Sequence, residues 1–336
     1  MELLHTLDHI PVGLLELPAS RLHEQLPRPT LITLAGEKEQ PLFISVLLHG
    51  NEDTGWDALR SWLQEHQEQV LPRSLVIFIG NIAAAKHGLR RLDGQMDFNR
   101  IWKGGNSTEE TMAAEVAKQV AAMRPFAAID LHNNTGTNPH YACTNRLETN
   151  FIHLALLFSR TIIYFTTPDS VLSNAIAGIC PAITVEAGKP GEAGGEDHCY
   201  NLIDAVIRLH HFPEHEPAEH DYDIFQTMAI ARVADDIDFG IKPEKHALQF
   251  REDLDRLNFS ELPVGTELGA FAGERMPLSV TSETGEEIAD KYFKVENGKL
   301  ITAATLMPSM LTLNCRIIRQ DCLCYLMQRF APDSKL

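Results

Sequence analysis

The sequence predicts an α/β protein with a mostly parallel or mixed sheet covered by helices, followed by a smaller β-rich C-terminal domain. Short apolar runs alternate with helical patterns through the first two thirds of the 336 residues, and turn-rich pieces replace them afterwards. Strand–helix alternation is typical of parallel sheets, because each crossover between parallel strands needs a helix. With 44% hydrophobic and 22% charged residues, the composition is typical of a globular protein rather than a disordered one.

Five apolar runs are the predicted strands of the first domain. Each is bounded by Gly, Pro, Asn or a charged residue, and several are apolar on both faces, as strands in a covered sheet are. The runs are LFISVLL at 42–48, LVIFI at 75–79, FAAIDL at 126–131, IIYF at 162–165 and AITV at 182–185. Helices are predicted between them, at Thr54 to Gln69, Glu110 to Met123, Asn150 to Arg160 and Asp197 to His211.

A change of composition marks the predicted domain boundary. Residues 212–222, FPEHEPAEHDY, are rich in Pro, Glu, Asp and His, which is typical of a solvated linker. We therefore expect one domain over 1–211, this linker, and a β-rich domain over 223–336. Within the last, Asn297 and Gly298 lie between KYFKV and KLITA and predict a hairpin turn.

The charge balance and the cysteines restrict the class of function. The formal charge of −17, from 29 basic and 46 acidic residues, argues against a general nucleic-acid binder. No charge-free apolar stretch approaches the ~20 residues of a membrane span, and the acidic first residues do not predict a signal peptide. The six cysteines are scattered without a CxxC pair. We therefore expect a cytoplasmic protein with reduced thiols and no membrane partner.

The first chemical signal is HGNE at 49–52, directly after a predicted strand. His49 and Glu52 lie three residues apart where a strand ends and a helix begins, so both side chains can converge on one point. An imidazole nitrogen and a carboxylate oxygen are a good ligand pair for zinc. On its own this short pattern is weak, because a histidine beside a glycine turn is more often structural.

Two further strand ends carry residues of the same kind. His132 follows the strand FAAID, and Glu186 follows the strand AITV. Ligands of open α/β sheets collect at the carboxyl ends of the strands. A catalytic zinc site needs three protein ligands and an open position, and a general base beside it completes a hydrolase. The three strand ends together therefore predict a metal-dependent hydrolase.

A basic segment follows within residues 86–103. It holds Lys86, Arg90, Arg91, Arg100 and Lys103 against Asp93 and Asp97 in an otherwise acidic chain. Arginine offers a fork of donors that matches a carboxylate, so the segment is interpreted as a site for an anionic group of the substrate. The alternative is a loop whose charges face water.

These motifs, in this order, resemble the succinylglutamate desuccinylase/aspartoacylase family of the zinc carboxypeptidase superfamily. The resemblance rests on HGNE, an NxxA…GxR…DxNR segment, DLHNxT and xVExG, and it covers roughly residues 42–190. It implies a zinc carboxypeptidase-like fold for the first domain. It also implies one zinc ion per chain with His49, Glu52 and His132 as ligands, and Asp97 orienting the ring of His49.

The resemblance also assigns residues to the substrate. Asn99 and Arg100 would hold its carboxylate, and Arg90 would polarise the scissile carbonyl. The gap from Arg90 to Asp97 is longer than the family pattern, so Arg91 is an alternative for that role. A substrate-contacting tyrosine is expected in the C-terminal domain, and Tyr292 is the candidate.

The predicted function is zinc-dependent hydrolysis of an amide bond in a small anionic substrate, with Glu186 as the general base. An N-acyl amino acid and the C-terminal residue of a peptide both fit, so a deacylase and a carboxypeptidase remain open. A non-catalytic zinc-binding or ligand-binding protein on the same scaffold is a third possibility. A deacetylase of sugars or polyamines would not need Asn99 and Arg100. The sequence leaves homo-oligomerisation open.

Overall fold

A computed structural model describes residues 3–241 and 246–330 of the chain. Contacts divide it into two compact units. The first contains the residues up to Asn133 together with His140–Asp223, and the second contains Asn134–Pro139 together with the residues from Ile224 onward. The predicted linker, 212–222, therefore lies in the first unit. That residues 1–211 and 223–336 form separate domains stays a prediction.

The first unit contains eight strands and six α-helices among its described residues. The strands are β1 (His5–Leu7), β2 (Thr30–Leu34), β3 (Gly36–Val46), β4 (Leu71–Ile79), β5 (Ala127–His132), β6 (Tyr141–Thr144), β7 (Thr161–Tyr164) and β8 (Ala182–Glu186). The helices are α1 (Thr54–His66), α2 (Ile82–Ala85), α3 (Thr108–Met123), α4 (Thr149–Leu156), α5 (Leu172–Ala177) and α6 (Gly195–Arg208). Short 3₁₀ turns lie at Leu14–Glu16, Ala19–Glu24 and Glu219–Asp221. None of the helices in the described ranges is both long and apolar enough to cross a membrane.

The strands of this unit form one mixed sheet in the order β1-β2-β4-β3-β5-β8-β6-β7. The four central strands, β4, β3, β5 and β8, run parallel to one another. Strand β2 runs antiparallel to β4, and β6 runs antiparallel to β8. All five predicted apolar runs lie in strands of this sheet. The predicted class of fold is therefore confirmed, with its parallel part in the middle.

Helices cover the sheet on both faces. On one face, apolar side chains of the central strands, such as Phe43 and Ala128, form a core with Val116 of α3 and Ile176 of α5. Helices α1 and α6 pack against each other and are joined by a hydrogen bond from the Trp62 indole to an Asp204 carboxylate oxygen, 3.1 Å long. Burial of these apolar faces supplies most of the stabilisation of such a layered fold.

The predicted helices exist, but their ends differ from the prediction by a few residues. Helix α3 begins at Thr108 because Ser107 and Glu110 form a capping box, in which each side chain bonds the backbone N–H of the other residue. Helix α1 ends at His66, whereas the prediction extended it to Gln69. Strands β1, β2 and β6 were not predicted, because β1 has only three residues and threonine interrupts or ends the short apolar patterns of β2 and β6.

The second unit is built mainly of strands. They are β9 (Asp223–Val233), β10 (Phe239–Gly240), β11 (Leu248–Phe250), β12 (Glu267–Phe271), β13 (Leu278–Ser282), β14 (Phe293–Glu296), β15 (Lys299–Thr302), β16 (Met307–Ser309) and β17 (Cys324–Arg329). Two short helices, α7 (Ala289–Tyr292) and α8 (Cys315–Gln320), and a 3₁₀ turn at Leu254–Leu257 accompany them. Strand β9 pairs with β13 and β17, and β16 pairs with β17. Strands β10-β11-β12-β15-β14 form a separate sheet.

The predicted hairpin lies in the second sheet. Strands β14 and β15 pair antiparallel, with Glu296 opposite Lys299. The turn between them places Asn297 at φ 51° and Gly298 at φ 73°, the left-handed pair that an Asn-Gly turn of this kind needs. The first arm is shorter than KYFKV, because Tyr292 ends α7 and the strand begins only at Phe293.

Substitution of Gly50 tests how closely the HGNE turn at 49–52 packs against helix α2. A Cβ atom at this position would lie 2.1 Å from the backbone nitrogen of Ala85 in α2. We expect Gly50→Ala to lower the free energy of unfolding by ~3 kcal/mol, because backbone atoms cannot yield to the added methyl group. Urea denaturation of the metal-free protein measures this loss.

The matched control is Gly178→Ala, at a helix end where the nearest atom to a Cβ is 4.0 Å away. We expect a change of about 0.5 kcal/mol or less there. Equal stabilities for the two variants would contradict the close approach at Gly50.

Candidate metal centre

The candidate site lies at the carboxyl ends of three neighbouring parallel strands. His132 is the last residue of β5, Glu186 is the last residue of β8, and the two are register partners. His49 follows the end of β3 by three residues. Because β3, β5 and β8 are adjacent, the fold brings together the side chains that the sequence places at separate strand ends.

A tight turn after β3 aims His49 and Glu52 at the same point. Leu47 takes a left-handed backbone conformation, with φ 57°, as the chain leaves the strand. Gly50 then passes against α2, and the Glu52 N–H donates to the His49 carbonyl over 3.2 Å. Helix α1 begins two residues after Glu52. The HGNE turn is therefore fixed by packing on one side and by a helix on the other.

The carboxylate of Glu52 lies between two imidazole rings. Its Oε1 is 2.8 Å from His49 Nδ1, and its Oε2 is 2.7 Å from His132 Nδ1. Ligand-type atoms of the three residues all lie within 4.8 Å of one another, and all three residues are buried. Two imidazole nitrogens and a carboxylate oxygen so arranged could hold a metal ion.

The outer nitrogen of each ring faces a second carboxylate. His49 Nε2 is 3.0 Å from Asp97 Oδ1, and His132 Nε2 is 2.9 Å from Asp130 Oδ2. A proton held on Nε2 by these carboxylates leaves the Nδ1 lone pair free for a metal. The sequence analysis identified Asp97 for this position but missed Asp130. The signal for Asp130 was its place two residues before His132 on one strand, since such residues share a face of the sheet.

Opposite charges compensate one another inside this buried cluster. Burial alone would raise the pKa of Glu52, but the two imidazoles outweigh it and hold the pKa well below its usual range. Burial alone would lower the pKa of His132, but Asp130 and Glu52 raise it well above the ordinary value. The pKa of His49 is also raised, because Glu52 and Asp97 outweigh burial and the charge of Arg90. The carboxylate between the rings is therefore ionised and ready to act as a ligand.

Arg90 is held at the edge of the cluster. Its Nε and Nη2 both donate to Asp97 Oδ2, over 3.2 and 3.0 Å. Its Nη1 lies 3.7 Å from Glu52 Oε1 and so faces the candidate metal position. Despite burial, Arg90 and His49 hold the pKa of Asp97 well below its usual range. Asp97 therefore orients both a ring and a guanidinium.

Glu186 lies beside the cluster, and one of its carboxyl oxygens is not hydrogen-bonded in the described part of the chain. That oxygen, Oε2, is buried. Burial and the nearby Glu52 charge raise the pKa of Glu186 to about 7, although His132, His49 and Arg90 act in the opposite direction. An unpartnered buried carboxyl group is costly, which is a common feature of functional sites.

Asn133 is a second residue that the sequence analysis missed. Its backbone N–H is 3.3 Å from Glu52 Oε2, and its amide oxygen accepts from the first N–H of α1, at Thr54. Its amide nitrogen donates to the carbonyl of Gly188, two residues after Glu186. One side chain thus joins the segments that carry His132, Glu52 and Glu186. The asparagine directly after His132 was visible in DLHNNTG, but its long-range partners were not.

The remaining basic residues are engaged in local contacts. Arg91 Nη1 donates to the Gln95 carbonyl over 2.7 Å, and Arg100 Nη1 donates to the Asn99 carbonyl over 2.8 Å. Lys103 pairs with Asp169 over 2.6 Å. Arg91, Arg100 and Lys103 therefore each have a partner within the described structure.

Asn99 and Tyr292 contact other parts of the protein. Asn99 is buried, and its Oδ1 accepts from the Leu172 N–H, over 3.1 Å, at the start of α5. Tyr292 belongs to the second unit, where its ring packs against the apolar core and lies 5.2 Å from Lys291 Nζ. Substrate contacts for Asn99, Arg100 and Tyr292 stay a prediction.

The donor set fits zinc. Three protein ligands of nitrogen and oxygen type, with each imidazole oriented from outside, match the composition of catalytic zinc sites. Beside them, Glu186 adds a carboxyl group whose buried Oε2 has no hydrogen-bond partner among the described residues. A metal ion at this point, a base next to it and an arginine facing it together suit the hydrolysis of an acyl compound.

Comparison with known families agrees with this geometry. The family model for the succinylglutamate desuccinylase/aspartoacylase catalytic domain matches residues 38–208, which include every site residue of the first unit named above. Comparison of the sequence with curated proteins finds no significant match.

Solved structures share the fold at low sequence identity. Succinylglutamate desuccinylase from Chromobacterium violaceum is similar with a TM-score of 0.51 and 18% identity, over 80% of this chain and 86% of that one. A succinylglutamate desuccinylase/aspartoacylase from Rhodobacter sphaeroides is similar with a TM-score of 0.56 and 12% identity, over 89% of this chain and 88% of that one. Murine aminoacylase 3 is similar with a TM-score of 0.55 and 14% identity, over 88% of this chain and 97% of that one. The family match covers more than half of the chain, and the chain belongs to the succinylglutamate desuccinylase/aspartoacylase family.

Proposed function

We propose that this protein is a zinc-dependent deacylase that hydrolyses the amide bond of a small N-acyl amino acid. The observation that carries the proposal is the buried His49–Glu52–His132 donor set beside Glu186, whose buried Oε2 has no hydrogen-bond partner in the described structure. Because the chain belongs to a family of amide hydrolases, we favour a deacylase over a carboxypeptidase. The substrate we propose is anionic at its amino-acid end.

His49 and His132 would hold the zinc ion through Nδ1, and Glu52 through its carboxylate. When bound, zinc supplies Lewis acidity and lowers the pKa of a water molecule. Asp97 and Asp130 keep the two rings turned so that Nδ1 faces Glu52. The protein thereby sets the ligand geometry before a metal arrives.

Glu186 would take the proton of the attacking water and then pass it to the leaving amine. Its position at the end of β8, next to His132, is the geometric support for this role. Its Oε2, which has no hydrogen-bond partner in the described structure, is able to accept a proton, and a pKa of about 7 lets it do so near neutral pH.

Arg90 would stabilise the negative charge that develops on the carbonyl oxygen. Its Nε and Nη2 are anchored by Asp97, which leaves Nη1 directed toward the cluster. The guanidinium of Arg91 instead donates to the Gln95 carbonyl, which supports Arg90 over Arg91 for this role. Asn99 and Arg100 would bind the carboxylate of the substrate.

The metal content tests the first step of the proposal. We expect about one zinc ion per chain after mild purification, and loss of most of it in His132→Ala, since one of three ligands is removed. Elemental analysis of dialysed protein measures the stoichiometry. The control is His153→Ala, a partly buried histidine of α4 that bonds the His215 carbonyl and is not one of the proposed ligands, and it should keep full occupancy. Full zinc content in His132→Ala would refute this ligand set.

Glu186→Gln tests the base. The variant keeps the size of the side chain but cannot accept a proton, so turnover should fall at least ~100-fold while zinc content stays unchanged. Release of free amine from a panel of N-acyl amino acids provides the assay. Glu192→Gln, on the exposed loop that follows, is the control and should remain active. A Glu186→Gln variant that loses its zinc would instead make Glu186 a ligand.

Arg100→Ala tests the recognition of the anionic end. We expect substrate binding to weaken by ~2 kcal/mol or more, because a charged hydrogen bond to the carboxylate is lost. The loss should be much smaller for an analogue whose carboxylate is an amide, when both are compared by inhibition constants. Lys103→Ala, which removes an exposed cation paired with Asp169, is the control. Equal losses for both analogues would show that Arg100 is purely structural.

A further inference from the structure

Polar residues lie where the apolar face of the central sheet ends. On this face Phe43, Ala128 and Ala182 are partners on β3, β5 and β8 and belong to the apolar layer or its rim. Two residues further along each strand, the register partners Ser45, Asp130 and Thr184 form one row. The row after that contains His132 and Glu186. A polar row therefore separates the apolar core from the candidate metal centre.

A continuous chain of hydrogen bonds crosses these rows. The Ser45 hydroxyl donates to Asp130 Oδ1, and the other carboxylate oxygen of Asp130 bonds His132 Nε2 over 2.9 Å. On the far side of the ring, His132 Nδ1 faces Glu52 Oε2 over 2.7 Å. Ser45 and Asp130 are both fully buried. Each oxygen of the Asp130 carboxylate thus has one partner, a hydroxyl on one side and an imidazole on the other.

We infer that Ser45 is a positioning residue for the metal centre, which acts on His132 through Asp130. A carboxylate that is bonded at one oxygen can rotate about its Cβ–Cγ bond, and the hydroxyl of Ser45 removes that freedom. Holding Asp130 in place fixes the plane of the His132 ring and the nitrogen that carries the proton. Ser45 therefore helps to present the Nδ1 lone pair toward Glu52. This inference rests on the proposed zinc site.

The two histidines are supported in different ways. Asp97, which orients His49, is bonded by the charged Arg90 and by the backbone N–H of Asn99, both from the same loop. Asp130 receives a neutral hydroxyl from a neighbouring strand. A neutral donor leaves more of the negative charge of Asp130 to act on His132, which makes the imidazole a stronger ligand. The support of His132 is thus built into the sheet rather than into the loop.

Zinc affinity and metal-free stability together test this role. We expect Ser45→Ala to bind zinc ~10-fold more weakly, the lower end of the loss typical when the direct partner of a metal ligand is removed, because Asp130 itself remains. Competition with a chromophoric chelator measures the dissociation constant. Ser45→Cys, which keeps a weak donor of similar size, should be intermediate. The stability of the metal-free protein is followed by thermal unfolding, so that a folding defect is recognised separately.

Two controls isolate the path through Asp130. Thr184→Val alters the other register partner of Asp130, whose hydroxyl makes no hydrogen bond to that carboxylate in the described structure, and should change affinity less than twofold. In an Asp130→Asn background, removal of the Ser45 hydroxyl should lower zinc affinity by less than a further twofold, because the carboxylate that this hydroxyl positions is absent.

The outcomes separate this inference from the proposal on which it rests. Wild-type protein that takes up no zinc would overturn the metal centre itself. Wild-type protein that binds zinc while Ser45→Ala binds it equally well would overturn only the role of Ser45. An equal loss in the wild-type and Asp130→Asn backgrounds would show that Ser45 does not act through Asp130. Lower metal-free stability with an unchanged dissociation constant would make Ser45 merely structural.

Discussion

The site depends on one carboxylate, Glu52, placed between the Nδ1 atoms of two buried imidazole rings. An unpaired charge in such surroundings would be costly, so the three side chains are stable there only as a group. The two imidazoles lower the pKa of Glu52 against burial, and Asp130 and Glu52 raise the pKa of His132, while Glu52 and Asp97 raise that of His49. A divalent cation bound by the same three atoms would take over the compensating role of the protons on the rings.

Around this group, the fold supplies outer partners from two sources. The sheet contributes Asp130 and Ser45, and the loop before α3 contributes Asp97 and Arg90. The first set is rigid because it belongs to adjacent parallel strands. The second set belongs to the loop that also carries Asn99 and Arg100, the residues proposed for the substrate. A substrate bound there would therefore touch the same hydrogen-bond network that orients His49, whereas His132 would remain held by the sheet.

Much of this could be predicted from the sequence, and the reasons are local. Apolar runs followed at once by His132 or Glu186 place those residues at strand ends, and parallel strands bring such ends together. Asp130 and Ser45 could not be paired in this way, because their contact depends on which strands are neighbours and in what register. The links of Asn133 to Thr54 and Gly188 are long-range for the same reason. The basic segment resembled an open anion site by composition, yet Arg90 pairs with Asp97 of the same segment, and Lys103 pairs with Asp169, which lies nearby only after folding.

The most direct test of the account is anomalous diffraction at the zinc absorption edge from crystals of zinc-loaded protein. We expect a single strong peak bonded to His49 Nδ1, His132 Nδ1 and the Glu52 carboxylate, with Glu186 close by but not bonded. A peak bonded to Nε2 of either ring would contradict the orientation given by Asp97 and Asp130. A peak elsewhere in the chain would contradict the central claim that Glu52 and the two rings form the metal centre.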